Sequence, residues 1–282
     1  MFRSVLVPLD GSKFSEQALP LAELVGGVTG TQLHLVSADG SDAGGSAGQR
    51  EQYLAGITER LKGAGMAVDH AVLSGKVLDA LEAKAKDVGA DLIVMATHGR
   101  GGLERLRLGS VAEGLVSRGL APMLLIHPAP DGEPAVIPES LDRVVVALDD
   151  SAFAQSILEP LESLGKAARV SHYTLVHVAR ERAAGHAGWT PLAAVQARAE
   201  ERMRPIRERL QGPETQVDVQ VVMAAEPSAG ILGVAKEAGA DLIAMTTHGM
   251  TGVRPTLVGS VAAQVLRNWT GLLLLRRPGP VE

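Results

Sequence analysis

The chain has 282 residues, enough for two ordinary domains that each bury a core. Its composition, 46% hydrophobic and 21% charged, is that of a soluble globular protein, and a net charge of −5 with 2% aromatic residues argues against a nucleic-acid-binding surface. The absence of cysteine excludes disulfides, thiolate nucleophiles and cysteine-ligated metals.

In chain order, the N-terminal MFRSVLVPLDGS meets Pro8 and Asp10 too early for a signal peptide. No uncharged apolar run reaches about 18 residues, so no membrane span is expected and the default compartment is the cytoplasm. Short runs of Val, Leu, Ile or Met predict strands at 3–9, 31–37, 67–73, 90–96 and 122–127. Between them, amphipathic stretches predict helices near 12–26, 49–65, 76–88 and 110–119. Strands alternating with helices imply an α/β fold with a parallel sheet covered on both faces. DGSDAGGSAG at 39–48 reads as a loop, and HPAPDGEPAVIPES at 127–140, with four prolines, reads as a linker. The domain boundaries that follow are 1–130, a linker at 131–140, and 141–282.

The second domain repeats the first. Val5–Asp10 matches Val144–Asp149, offset by 139, and Leu33–Ala38 matches Tyr173–Val178, offset by 140. GADLIVMATHG at 89–99 returns as GADLIAMTTHG at 239–249, offset by 150, so about ten residues are inserted between the second and third strands of the second copy. Asp10 and Ser12, like Asp149 and Ser151, supply N-cap chemistry for the first helix of each unit. The final strands, PMLLI at 122–126 and GLLLLR at 271–276, are short and apolar, with sheet edges that invite pairing.

In such a sheet, ligands sit beyond the carboxyl ends of the strands where strand order reverses. Asp10 ends the first strand and Ala96-Thr97-His98-Gly99 ends the fourth. Gly99 and Gly109 permit close backbone approach, the helix starting at Gly109-Ser110 favours a phosphate at its positive end, and Arg100 adds a charge. An alternative needs no ligand: Ser110 and Glu113 fit the capping box S-x-x-E. The loop fits neither Walker A nor G-x-G-x-x-G. His98 and His248 repeat without a paired nucleophile and read as loop-fixing residues, so no catalytic residue is assigned. His34, His127, His172 and His177 lack metal-ligand spacing, and no metal site is assigned. The run AEERMRPIRERL at 199–210 reads as a solvated helix face with i,i+4 pairs.

VLVPLDGS, DLIVMATHGRGGL…LGSVAEGLV, the closing APMLLI and their second-copy partners resemble a tandem member of the universal stress protein family. The resemblance implies two Rossmann-like units of the adenine nucleotide alpha hydrolase type, each a five-stranded parallel sheet flanked by helices. It further implies an intrachain pseudo-dimer formed through the last strands, with scope for a further homodimer. Nucleotide-binding members carry G-x-x-G, nine residues, then G-[S/T]. The matching positions are Ala96, Gly99, Gly109 and Ser110, and then Thr246, Gly249, Gly259 and Ser260. Both copies therefore replace the first glycine, Ala96 mildly and Thr246 with a bulkier β-branched side chain.

The resemblance implies a nucleotide lined by Pro8, Leu9, Asp10, Ala38, Ala96, Gly99, Arg100, Gly109, Ser110 and Val111 in the first unit. The second-unit set is Ala147, Leu148, Asp149, Val178, Thr246, Gly249, Gly259, Ser260 and Val261. Asp10 and Asp149 would meet the ribose or adenine region, and the backbone of Ala38 and Val178 the adenine. The first unit is favoured, because Arg100 and Gly75-Lys76 complement phosphate, whereas the second has Met250 and Ala225-Glu226. The reading is an ATP-binding regulatory module of the stress response, any Mg2+ arriving with the triphosphate. The alternatives are a slow ATPase or phosphotransferase, and a ligand-free structural or interaction protein.

Overall fold

The computed structural model describes residues 1–39, 46–97, 108–127, 141–149, 151, 153–180, 192–247 and 258–278. The first unit carries the strands β1 (Ser4–Pro8), β2 (Gln32–Asp39), β3 (Ala67–Ser74), β4 (Leu92–Ala96) and β5 (Met123–Ile126). Its helices are α1 (Lys13–Glu16), α2 (Leu19–Gly26), α3 (Ala47–Gly63), α4 (Val77–Asp87) and α5 (Ser110–Arg118). The second unit repeats this with β6 (Arg143–Ala147), β7 (His172–Arg180), β8 (Gln216–Ala224), β9 (Leu242–Thr246) and β10 (Leu272–Arg276). A 3-10 turn at Ala154–Ile157 leads into α6 (Leu158–Ala168), followed by α7 (Leu192–Leu210), α8 (Pro227–Ala238) and α9 (Ser260–Asn268).

All ten strands form one sheet in the order β3-β2-β1-β4-β5-β10-β9-β6-β7-β8. Every neighbouring pair within a unit is parallel, and the junction of β5 with β10 is antiparallel, with Leu124 opposite Leu274. Each unit is thus a five-stranded parallel sheet, and the pair forms the expected pseudo-dimer through the last strands. The edges of β5 and β10 disappear into this junction, leaving β3 and β8 at the sheet's ends.

Strand side chains alternate between two cores, as the pleat requires. Val5, Val7, Leu33 and Leu35 face one side, in a core that Leu21 and Leu54 of α2 and α3 join in the first unit and Leu161 and Met203 of α6 and α7 join in the second. Leu6, Val36, Ile93 and Met123 face the other, in a core that Leu81 and Leu115 of α4 and α5 join in the first unit and Ile231 and Val265 of α8 and α9 join in the second. Both cores run across the junction of the units: Leu124 and Leu274 belong to the first, Leu125 and Leu273 to the second.

Two expectations need correction. The helix read over 12–26 is two pieces. Gln17 and Ala18 amides bond back three residues, to Phe14 and Ser15 carbonyls, and Pro20 sits in the first turn of α2, where its missing N–H costs nothing. The run at 199–210 is not a wholly solvated face, since Ala199, Met203, Ile206 and Leu210 are buried. Arg209 pairs not along its own helix but across to Glu162 of α6, at 2.5 and 2.8 Å. The larger connection between the second and third strands of the second unit includes α7, 19 residues against 17 in α3.

Candidate functional site: the crevice between β1 and β4

From β1 the chain steps to β2 and β3 on one side, then returns to β4 and β5 on the other, so strand order reverses between β1 and β4. These strands are in register through Val5–Leu92 and Leu6–Ile93, which brings their carboxyl ends side by side. Such a switch point is where open α/β sheets hold ligands.

At the end of β1, the Leu9 amide extends the ladder by one bond to the Val36 carbonyl, 2.8 Å, and the Leu9 side chain is buried. Pro8 and Asp10 are half-buried. The Asp10 carboxylate accepts from the Ser12 amide at 2.9 Å, closing an Asx turn, and Gly11 takes a left-handed φ of 77° within it. Ser12 then caps α1 by accepting from the Ser15 amide at 3.2 Å. The Ser15 hydroxyl, itself buried, accepts from the Asp10 amide at 3.3 Å and donates to the Ser12 carbonyl at 3.0 Å. Asp10 is therefore held by the turn on its side chain and by Ser15 on its backbone.

At the end of β4, Ala96 is buried and Thr97 donates its amide to the Ile126 carbonyl at 2.8 Å. The Thr97 carbonyl accepts from the Gly109 amide at 2.8 Å, so the start of α5 is fastened to the end of β4. Gly99 and Arg100 lie outside the described residues, between these fastened ends. Gly109 is the N-cap of α5, with φ −60° and ψ 148°, and the first helical bond is Glu113 amide to Gly109 carbonyl, 2.9 Å. The capping box that offers the ligand-free alternative at Ser110 is not formed: Ser110 is the first helical residue and exposed, and the N-cap is a glycine without a side chain. The first-turn amides of α5 thus gain no cap from the N-cap residue. Val111 packs against the core, and Ala38, at the end of β2, is half-buried.

The second unit repeats the frame. Ala147 and Leu148 are buried, and the Leu148 amide bonds to the Val176 carbonyl at 3.0 Å. Asp149 is exposed and accepts from the Ser151 amide at 2.9 Å and from its hydroxyl. Thr246 is buried, the Thr247 amide bonds to the Arg276 carbonyl at 2.9 Å, and the Gly259 amide bonds to the Thr247 carbonyl at 2.9 Å. Ser260 is exposed and Val261 half-buried, while Gly249 lies outside the described residues.

Three differences separate the crevices. Ala154 stands where Ser15 holds Asp10, so the second unit lacks that hydroxyl. Glu226 is the N-cap of α8, where α4 has Lys76. Val178 presses against α8, where a Cβ added at Gly230 would lie 2.8 Å from it; Ala38 occupies its place in the first unit. Ser15, Thr97 and Thr247 were not singled out from sequence, although the Thr97-His98 and Thr247-His248 repeat was visible. Among the described residues no group of three or more histidine or acidic side chains could hold a metal ion, and no helix is long and apolar enough to cross a membrane.

The far end of α5 is anchored as well. Arg118 donates to the Leu78 carbonyl at 2.9 Å and to Asp79 of α4 at 2.7 Å, and also pairs with Glu82. The hydrogen bond from Arg118 holds the Asp79 carboxyl below its ordinary range.

The universal stress protein family model matches residues 1–127 and again 140–271, once per unit. Universal stress proteins Rv2005c of Mycobacterium tuberculosis and Mb2028c of Mycobacterium bovis are each 32% identical over 183 residues, covering 63% of this chain. The match spans 58% of the length of these relatives. Among solved structures, a universal stress protein of Archaeoglobus fulgidus superposes with a TM-score of 0.71 at 20% identity, covering 98% of this chain and 99% of that one. A Pseudomonas aeruginosa chain provisionally described as a universal stress protein gives 0.74 at 18% identity, covering 98% and 94%. With the family pattern matched twice over nearly its whole length and the same two-unit fold, this chain belongs to the universal stress protein family.

Proposed function

We propose that the chain is an ATP-binding regulatory module of the stress response, with the nucleotide held in the crevice of the first unit. The observation that carries this reading is the fastening of α5 to β4 by the Gly109–Thr97 bond. It sets a helix N-terminus, capped only by glycine, at the switch point, where free amides and the helix dipole favour a phosphate. The residues present fit an adenine nucleotide. Gly109, Ser110 and Val111 would receive phosphates, with Gly99 and Arg100 from the adjoining loop. Asp10, held by Ser12 and Ser15, would accept from ribose hydroxyls, and the Ala38 backbone would meet adenine, with Pro8, Leu9 and Ala96 as apolar lining.

The second crevice, from Ala147, Leu148 and Asp149 to Val178, Thr246, Gly249, Gly259, Ser260 and Val261, has the weaker chemistry. Glu226 brings a like charge where Lys76 brings an attractive one, and Thr246 thickens the strand end. Mg2+ would enter with the triphosphate. The ligand-free alternative has a capping box account for Gly109-Ser110 and draws its appeal from the two replaced first glycines; the Gly109 N-cap removes the first support, while Ala96 and Thr246 keep the second. The ATPase or phosphotransferase alternative needs a general base, and Asp10, the acid at the end of β1, is already engaged with the Ser12 amide.

Isothermal titration with ATP–Mg tests the reading on the wild type, Gly109→Val and Gly259→Val. The expected result is binding that Gly109→Val abolishes and Gly259→Val retains. Absence of binding to the wild type sinks the proposal, and loss only in Gly259→Val reverses the ranking of the crevices. Phosphate release over many turnovers would favour the enzyme instead.

A further inference from the structure

Each final helix is fastened at its start to its own crevice and meets the other unit at its end, α9 through a hydrogen bond and α5 through a side-chain contact. In the first unit, Gly109 bonds to Thr97, and Thr97 bonds to the carbonyl of Ile126, the last residue of β5. The next residue, His127, crosses the junction and donates from Nε2 to the Leu266 carbonyl in the last turn of α9, 2.8 Å. The start of α9 is fixed by Gly259 to Thr247, and the Thr247 amide bonds to the carbonyl of Arg276, the last residue of β10. Arg277 follows, the counterpart of His127 at the offset of 150, and lies against the end of α5. There Gly119 takes a φ of 63°, and an added Cβ would come within 2.9 Å of the Arg277 Cδ. The circuit closes through α5 back to Gly109. It passes once through each crevice and twice across the junction.

We propose that the two units are coupled through this circuit, so that a nucleotide in the first crevice repositions the end of α9 in the second unit. The inference rests on the nucleotide reading above and adds its regulatory consequence. A ligand on the first-turn amides of α5 bears on Gly109 and, through it, on Thr97 and Ile126. Main-chain bonds transmit that displacement to His127, which is hinged to the Leu266 carbonyl. Arg277 conveys the displacement of α5 itself to β10 and Thr247. The main-chain links from Gly109 through Thr97 to Ile126, and from Gly259 through Thr247 to Arg276, are hydrogen bonds of 2.8–2.9 Å, beside strands whose side chains are close-packed, and that rigidity carries displacement from one end towards the other. Coupling of this kind is reciprocal, and whatever occupies the second crevice acts on the first through the same bonds.

The end of α9 carries its own reporter. Trp269 caps that helix, its amide bonding to the Val265 carbonyl at 2.9 Å and its indole N–H to the Leu272 carbonyl at 3.0 Å. The chain has two tryptophans, so Trp189→Phe leaves Trp269 as the only one. The experiment follows ATP–Mg addition to this full-length protein by calorimetry and by Trp269 emission together. The expected result is binding heat accompanied by an emission shift, with both lost in Gly109→Val. His127→Ala combined with Arg277→Ala keeps the heat and loses the shift, and His127→Gln with Arg277→Lys restores it. Heat without a shift in the parent overturns the coupling, as does a shift that survives either Gly109→Val or the double alanine variant. Absence of heat in the parent overturns the nucleotide reading itself, and the coupling with it.

Discussion

Tyr173 occupies in the second unit the place that Leu33 holds in the first, and it fits because of a glycine on the helix above. A Cβ added at Gly165 of α6 would lie 2.0 Å from the phenol oxygen, while the same test at Gly26 finds the Leu33 side chain at 2.6 Å. The phenol is thereby buried, and burial, reinforced by the nearby Glu162 charge, pushes its pKa from 10.0 up to about 12. A folded pKa above the unfolded one favours the protonated form in the native state. The associated stability is therefore complete below pH 10 and is lost as pH rises through about 12. Wild type should lose roughly 1 kcal/mol relative to Tyr173→Phe by about pH 11, read from urea midpoints at a series of pH values. Equal slopes for the two proteins would contradict the buried phenol. At this scale the sequence was only partly legible. The motif positions Gly109 and Ser110 were visible, but the cap was not, because the Gly109 amide is claimed by Thr97, and that approach depends on tertiary structure. Ser15 was hidden for the same reason: a hydroxyl that supports Asp10 looks in sequence like any helix-start serine.

The pairing of the last two helices differs between units in a way that the duplicated pattern conceals. In the first, Leu78 of α4 fills the space left by Gly114 of α5, where an added Cβ would lie 2.6 Å from both Leu78 methyls. In the second, the counterparts are Ser228 and Gln264, and the serine hydroxyl donates to the glutamine oxygen. Each pair conserves volume and satisfies its own polar groups, so halves of the two solutions are incompatible. Gly114→Gln should destabilise by about 1–3 kcal/mol through overpacking. Leu78→Ser added to it should recover most of that loss, as chemical denaturation of the single and double variants would show. Additive losses would mean that the two helices do not meet through this pair. Strand periodicity made the elements themselves legible, since Val5-Leu6-Val7 and Leu92-Ile93-Val94 are apolar whichever core they face. The split of the first helix was less legible, because Pro20 is compatible with either a helix start or an interruption. In α7, the abundance of Arg and Glu masked Met203, Ile206 and Leu210, the residues that carry the packing.

One sheet and two cores that both cross the junction give the whole molecule a property that neither unit would have alone. Leu124 shows the argument at one position: it is fully buried, belongs to the core shared with the second unit, and faces Leu274 across the antiparallel junction. His127 and Leu266 add a polar tie at the same border. Unfolding the first unit therefore exposes the edge of β10 and strips the second unit's core of its covering, so the two should melt together. Leu124→Ala should cost about 2–5 kcal/mol, the usual range for a large core truncation. In a chain this size that lowers the melting temperature by several degrees. Differential scanning calorimetry should record one transition in both proteins, displaced as a whole in the variant, with the calorimetric and van't Hoff enthalpies in agreement. Two transitions, of which the substitution moves only one, would show that the units fold as neighbours rather than as one body. In that case the continuous sheet would leave the crevices energetically separate, and the coupling inferred through His127 and Arg277 would lose its structural basis.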